Sequence, residues 1–368
     1  MEKAKVYFSS RVCNKKQNLL SKLTQLYDIS GYSKYLNKGE LIAIKTHFGE
    51  SGNTTFLRPQ YLQPIIEKLK SSGTNPFVTD TNTLYHGNRG NAVSHLLLAN
   101  KHGFNISTLG VPVIIADGLN GKDFVVVPIK GKRLKEVKIG SAIYYAEGLV
   151  VMTHFKGHLL HGFGGSIKNL GMGSGSRGGK QIMHSDIKPK VNKKKCKSCG
   201  KCIKYCPQKA IEFQEDKKAY ISEDLCYGCG ECVVSCKHEA IAINWIDSNE
   251  AVMEKTVEYA LGAIQNKNHP PLYFNFLMDI TPDCDCWTIS ELPIVPDIGI
   301  LASFDPVAID KASLDLVNEQ AGIKGSFLKN PDSHDKFRDL YEKADYKYLF
   351  NHAQTLGLGT TDYELITV

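Results

Sequence analysis

No window of the sequence approaches the about eighteen uninterrupted apolar residues of a membrane span, so no membrane partner is expected. Nor does the start, Met1-Glu2-Lys3-Ala4-Lys5-Val6-Tyr7-Phe8, carry the apolar core and small-residue cleavage site of a secretory signal. It reads as a first strand, and the expected location is cytoplasmic. Low-complexity tracts are missing, and 42% hydrophobic with 23% charged residues is ordinary for a folded chain. Charge of one sign is thin: a net +7 over 368 residues lacks the basic stripe of a nucleic-acid surface, and no helix-turn-helix or basic recognition helix is evident. With membrane and nucleic-acid functions set aside, the length allows two or three domains and an ample core.

The texture of the first half is short β-rich runs alternating with helical patterns, the mark of an α/β domain with a mostly parallel sheet. Strands are predicted at 41–46, 76–80, 111–117, 125–129 and 149–153. Tyr61, Leu62, Ile65, Ile66 and Leu69 form a helical apolar stripe between the first two, and a second helix is predicted over 91–102, stopped by Gly103. From 157 to 188 glycine abounds among His, Lys, Ser and Asn, which reads as a structured loop whose backbone approaches a ligand closely. Beyond residue 246 the α/β texture resumes. Met253, Val257, Ala260, Leu261 and Ile264 share a helix face, strands are predicted at 272–278 and 298–302, and Asp305-Pro306 opens a helix. The expected organisation is one α/β domain split in sequence (1–189 and 246–368) around an inserted module at 190–245.

That module holds eight of the eleven cysteines, within residues 196–236. They form two quartets, Cys196-x2-Cys199-x2-Cys202-x3-Cys206-Pro207 and Cys226-x2-Cys229-x2-Cys232-x3-Cys236. This C-x2-C-x2-C-x3-C run is that of bacterial dicluster ferredoxins, where the fourth cysteine of each quartet ligates the other cluster. Two [4Fe–4S] clusters follow as the expected cofactors, one on Cys196, Cys199, Cys202 and Cys236, the other on Cys226, Cys229, Cys232 and Cys206. An internal repeat supports the reading: Cys-x2-Cys-Gly-x-Cys-x3-Cys-x3-Ala-Ile occurs at 196–211 and again at 226–241. Structural zinc prefers two separated Cys-x2-Cys pairs, and disulfides suit oxidising compartments. The run Lys193-Lys194-Lys195-Cys196-Lys197 at the module's entrance is either a solvated linker or a docking patch for an acidic electron carrier.

Electrons need a destination, and the α/β part offers candidates. Lys45-Thr46-His47-Phe48-Gly49-Glu50 and Thr153-His154-Phe155-Lys156-Gly157-His158 are near-copies, each at the carboxyl end of a predicted strand. That edge is where open α/β sheets bind ligands. Lys45, His47, His154, Lys156 and His158 suit an anion, a metal or a substrate carboxylate. The turn with Gly164 and Gly165, followed by Lys168 and Asn169, can cradle phosphate or carboxylate, although it lacks the order of a P-loop. Lys180, His184 and Asp186 are placed to close the same pocket, and Asp80-Thr81-Asn82 with Arg89 adds a polar cluster. Asp283-Cys284-Asp285-Cys286-Trp287 carries two thiols that suit a soft metal, a redox pair, proton donation, or no chemistry at all. Cys13 stands alone.

On these segments, together with Gly164-Gly165-Ser166-Ile167-Lys168-Asn169-Leu170-Gly171 and Asp297-Ile298-Gly299-Ile300-Leu301-Ala302-Ser303, the chain resembles the family called domain of unknown function 362, in its ferredoxin-containing form. The resemblance covers nearly the whole length and implies the split α/β domain with an inserted dicluster module. A fainter likeness, over His158, His161, Gly164, Gly165, Lys168 and His184, is to the lactate racemase segment that holds a nickel-pincer nucleotide. It implies Lys168 as a covalent anchor and His184 as a nickel ligand, in a chain that departs from a racemase by its cysteine module.

The resulting expectation is a ferredoxin-type oxidoreductase, relaying single electrons to an anionic substrate or a second cofactor or metal at the His/Lys/Gly-rich edge. Its partners would be a redox protein or a small-molecule substrate. An electron-transfer or cluster-carrier subunit with no substrate of its own is the alternative, and a redox-reporting ligand sensor is a third reading.

Overall fold

Eight strands hydrogen-bond into one sheet, in the order Tyr363–Thr367, Ala4–Ser10, Gly299–Ser303, Leu272–Leu277, Gly148–His154, Leu41–Lys45, Asn75–Asp80 and Val113–Ile115. This computed structural model describes residues 3–85, 87–184, 188–206, 208–226, 230–241 and 248–368. Five of the seven strand pairings are parallel; only Gly299–Ser303 runs antiparallel to both its neighbours. The mostly parallel α/β fold expected from the alternating texture is therefore present. One sheet takes five strands from residues before the cysteine-rich segment and three from residues after it.

The central strands are buried on both faces, as parallel strands under helices must be. Every residue of Gly148–His154 and of Leu272–Leu277 is buried. Alternate side chains go to opposite sides. Leu149 and Val151 join a core with Leu170, Val257 and Leu349, whereas Val150 and Met152 join another with Leu23, Ile65 and Leu69. The sheet is thus the middle of three layers.

Three expectations change. The strand predicted at 125–129 forms as Phe124–Pro128 but pairs with Glu136–Gly140 in a separate antiparallel hairpin, outside the main sheet. The one predicted at 111–117 shrinks to Val113–Ile115. Most instructive is the glycine-rich stretch, expected as a loop. It folds as a short hairpin (Lys156–His158 with Gly162–Gly164) and two helices, Ser166–Ser174 and Arg177–His184. Glycine is a poor helix former, but close packing overrides that here. A Cβ on Gly171 would collide with the backbone oxygen of Thr256, so glycine lets this helix lie directly against the Asn249–Ile264 helix. The buried Asp310 carboxylate then satisfies the helix start, accepting from Ser166 N at 2.6 Å and Ile167 N at 3.0 Å.

The cysteine-rich segment is a small layer of its own. Helices Lys201–Tyr205 and Glu231–Ser235 pack beside a two-stranded ribbon, Ile211–Phe213 with Ala219–Ile221. Its hydrophobic cluster takes in Leu84 from the sheet domain, with Tyr85 packed against it.

Candidate functional site

Strands Leu41–Lys45 and Gly148–His154 are direct neighbours, with Lys45 opposite Val151. Their parallel direction brings both His/Lys-bearing ends to the same edge, and Asn75–Asp80 ends beside them. A cavity of ≈ 880 Å³ opens there, within the size range of small-molecule and cofactor sites.

Its walls are cationic. Lys45, Arg89, Lys156, Lys168 and Lys180 line it against two carboxylates, Glu50 and Asp80. Lys45 is fully buried and fixed, donating to Asn169 Oδ1 at 2.8 Å and pairing with Asp80 at 3.0 Å. Arg89 pairs with Glu50 at 3.2 Å and lies 2.7 Å from His47 Nε2. Burial, reinforced by the Arg89 charge, pushes His47 well below the ordinary histidine range. The same cause, with Lys168 adjacent, keeps His158 neutral near pH 7. Lys180 donates to Gly175 O at 2.7 Å and to Thr81 Oγ1.

Two of these ammonium groups are poised to titrate near neutrality. Burial, with Lys156 next in effect, pushes Lys168 down to about 7. Burial lowers Lys180 to about 8, opposed by Asp117 and Asp80. An anion in the cavity would favour their charged forms.

The 283–287 loop forms another wall. Cys284 and Cys286 are joined as a disulfide, and Lys168 Nζ lies 3.5 Å from Cys284 Sγ. Between them Asp285 is buried and held by His154 Nδ1 at 2.8 Å and by Lys156 Nζ at 3.0 Å. Burial alone would raise the Asp285 carboxyl, but these two neighbours outweigh it and hold it well below the usual range.

Two smaller cavities lie in the cysteine-rich segment. Cys196, Cys199, Cys202 and Cys236 ring one; Cys206, Cys226 and Cys232 ring the other. Each combines members of one sequence quartet with the last cysteine of the other. Cys229 lies outside the described residues, as does Asp186. The turns preceding both helices place Gly200 and Gly230 in the left-handed region, at φ 71° and 73°. Backbone N–H groups of Ala210 and Ala240 point at Cys206 Sγ (3.2 Å) and Cys236 Sγ (3.3 Å). Among the described residues, no three His, Cys, Asp or Glu side chains converge to hold one metal ion.

The second cysteine cavity adjoins the large one. Leu84 lines the large cavity and abuts Gly230 so closely that a Cβ there would strike its Cδ1. Tyr85 packs on the cysteine cluster and donates its hydroxyl to Cys286 O at 3.4 Å. Arg177 ties the two parts together through a buried ion pair with Glu231.

Of the residues singled out from sequence, Lys45, His47, Lys156, His158, Gly164, Gly165, Lys168, Asn169, His184 and Cys286 all line the large cavity. His154 and Cys284 stand behind the wall. Both ring nitrogens of His154 face oxygens, those of Asp285 and of the Met278 and Asp279 carbonyls, so it braces the loop. Asn169 turns its amide to Met152 O and Thr153 Oγ1 and its oxygen to Lys45, which makes it a brace as well. Sequence reasoning missed Leu84, Tyr85 and the Arg177–Glu231 pair. They sit in irregular segments or on short helices, without periodicity to mark them.

No curated protein matches the chain. Among solved structures it is similar to lactate racemase apoprotein from Thermoanaerobacterium thermosaccharolyticum, at 12% identity and TM-score 0.36, over 74% of this chain and 50% of that one. A Thermotoga maritima protein solved by structural genomics is similar at 8% identity and TM-score 0.37, over 72% of this chain and 52% of that one. The chain thus spans about half the length of either structure. The sequence itself is more telling: residues 42–315 match the family described as Domain of unknown function (DUF362), and the chain belongs to that family.

Proposed function

We propose that this protein is an iron–sulfur oxidoreductase that passes electrons between a one-electron carrier and an anionic ligand in the large cavity. Cys196, Cys199, Cys202 and Cys236 would hold one [4Fe–4S] cluster, and Cys206, Cys226, Cys229 and Cys232 the other. Such clusters supply single electrons at potentials set by hydrogen bonds to sulfur and by solvent exposure.

The observation that carries the reading is the exchange of fourth cysteines between the two small cavities. In two-cluster ferredoxins the fourth cysteine of each run ligates the other cluster, and each thiolate of a cubane has its own iron. The N–H groups of Ala210 and Ala240 aimed at cysteine sulfurs suit thiolates that stay charged. Cys199 is exposed beside exposed Lys193, Lys194, Lys195 and Lys197, which favours this end as the docking face for an acidic carrier protein. The other cysteine cavity is the one next to the large pocket, by way of Leu84.

In that pocket the chain's own residues do the binding. Lys168 and Lys180 attract the anion, while Lys45, Arg89 and Lys156 are held in place by their carboxylates. His47 and His158, kept neutral by burial, line the pocket as uncharged imidazoles. A cavity of this size and charge favours an enzyme over a bare carrier subunit.

The test combines two variants with electron paramagnetic resonance on anaerobically purified, dithionite-reduced protein. Wild type should give the signal of two interacting reduced cubanes. Cys196→Ser should lose one, and Lys168→Ala should keep both while weakening sulfate binding. A wild-type protein that holds iron but gives no such signal overturns the reading.

A further inference from the structure

We infer that Cys284 and Cys286 form a redox-active disulfide in the pocket wall, cycling to a dithiol and converting single electrons into a pair for the pocket's ligand. This deepens the proposed function, because it concerns the same pocket.

A purely structural bond explains these cysteines poorly. It joins residues two apart in sequence, and cross-linking a loop so short removes little freedom from the unfolded chain. The loop is fixed by other means. Asp285 is clamped by His154 and Lys156, Glu50 N donates to Asp285 O at 2.9 Å, and Tyr341 Oη donates to Pro282 O at 2.8 Å. Such a scaffold keeps the sulfurs in place whether or not they are bonded.

The two sulfurs differ. Cys284 is buried, 2% exposed, with Lys168 Nζ at 3.5 Å and the Cys286 backbone N–H at 3.4 Å from its sulfur. Those donors stabilise a thiolate at Cys284. Cys286 is half-buried and lines the cavity, so its sulfur is the one a ligand meets. On its other side the Cys286 carbonyl accepts from Tyr85, which packs against the cysteine-rich segment.

The reaction balances as one disulfide, two electrons and two protons giving a reduced pair with both protons held in the site. The S–S bond breaks; Cys284 takes one electron pair as a thiolate, with one proton carried beside it on Lys168 as the ammonium, and Cys286 takes the other electron pair and the second proton, from the pocket side, as a thiol. The reductant is a low-potential one-electron carrier delivering two equivalents. In the return step the dithiol gives two electrons and two protons to an anionic two-electron acceptor, and the S–S bond re-forms. Lys168, with its proton lost near neutrality, matches the proton demand of both steps.

The full-length, anaerobically purified protein is equilibrated with reduced and oxidised dithiothreitol in varied ratio, acid-quenched and alkylated. Mass spectrometry then reads the peptide containing residues 283–287, with iron and sulfide assayed on the same sample. Both cysteines should be blocked in the oxidised buffer and gain two labels together in the reduced one, reversibly. Dithionite titration should consume about two more electrons per chain in wild type than in the Cys284→Ser/Cys286→Ser variant, by the two-electron couple. Free thiols in the most oxidising buffer, a disulfide that survives the most reducing one, or equal electron counts overturn the inference. Missing iron and sulfide would instead sink the cluster reading, while the labelling still decides this one; it does so even where the double variant fails to fold.

Discussion

Anion affinity should fall steeply with pH, and the structure sets both the window and the size. Lys168 is lowered to about 7 and Lys180 to about 8, both chiefly by burial. These are bases, so the ammonium form that attracts an anion dominates below those values and is lost as pH rises through them. At pH 9 about one Lys168 in a hundred and one Lys180 in ten would be charged. A ligand that needs both ammoniums then binds about a thousandfold more weakly at pH 9 than at pH 6, or about 4 kcal/mol. The figure is an upper value, since Lys168 keeps some exposure to solvent. Sulfate is a suitable probe because it does not titrate in this range. Isothermal titration calorimetry at pH 6 to 9, in buffers of different ionisation enthalpy, reads affinity and proton uptake together. Uptake should approach one to two protons per sulfate near pH 8.5, and Lys168→Met should remove about one of them. An affinity that stays flat across that range with no proton uptake would refute the electrostatic reading of the cavity.

Further outcomes follow from single contacts. Glu231→Ala leaves the Arg177 guanidinium buried without its carboxylate, and should cost about 3 kcal/mol in urea denaturation, with Glu231→Gln costing less. Asp310 is raised to about 7, chiefly by burial; its contribution is complete below about pH 4 and is lost as pH rises to about 7. Melting curves across pH 4–7 should therefore show Asp310→Asn with a flatter pH dependence than wild type. Gly171→Ala drives a methyl into Thr256 O and should lower stability by about 1–3 kcal/mol, read as a lower denaturation midpoint.

Much of the pocket was legible because its residues follow apolar runs. Lys45 and His154 each end a buried strand, so the sequence pattern places their polar tails at one sheet edge. That the two strands are neighbours is a fact of pairing, which no local pattern carries. The glycine-rich stretch misled for a physical reason: glycine signals a loop by propensity, yet here its small size is what a tight helix pair requires. The position of His154 beside Lys156 and His158 points to the pocket, yet its ring is drawn behind the wall by Asp285 and by the Met278 and Asp279 carbonyls, which no local pattern announces. Leu84 and Tyr85 were illegible because an irregular segment earns its role from what docks on it. The cysteine spacing is the reverse case: a pattern read from order alone, with seven of its eight cysteines lining two small cavities.

The most direct measurement is iron and acid-labile sulfide per chain in anaerobically purified protein, with nickel and zinc assayed alongside and mass spectrometry of small molecules released on denaturation. About eight irons and eight sulfides are expected, as two cubanes demand, together with an anionic compound where the pocket's ligand co-purifies. Zinc without sulfide, in protein shown never to have been exposed to oxygen, would contradict the central claim.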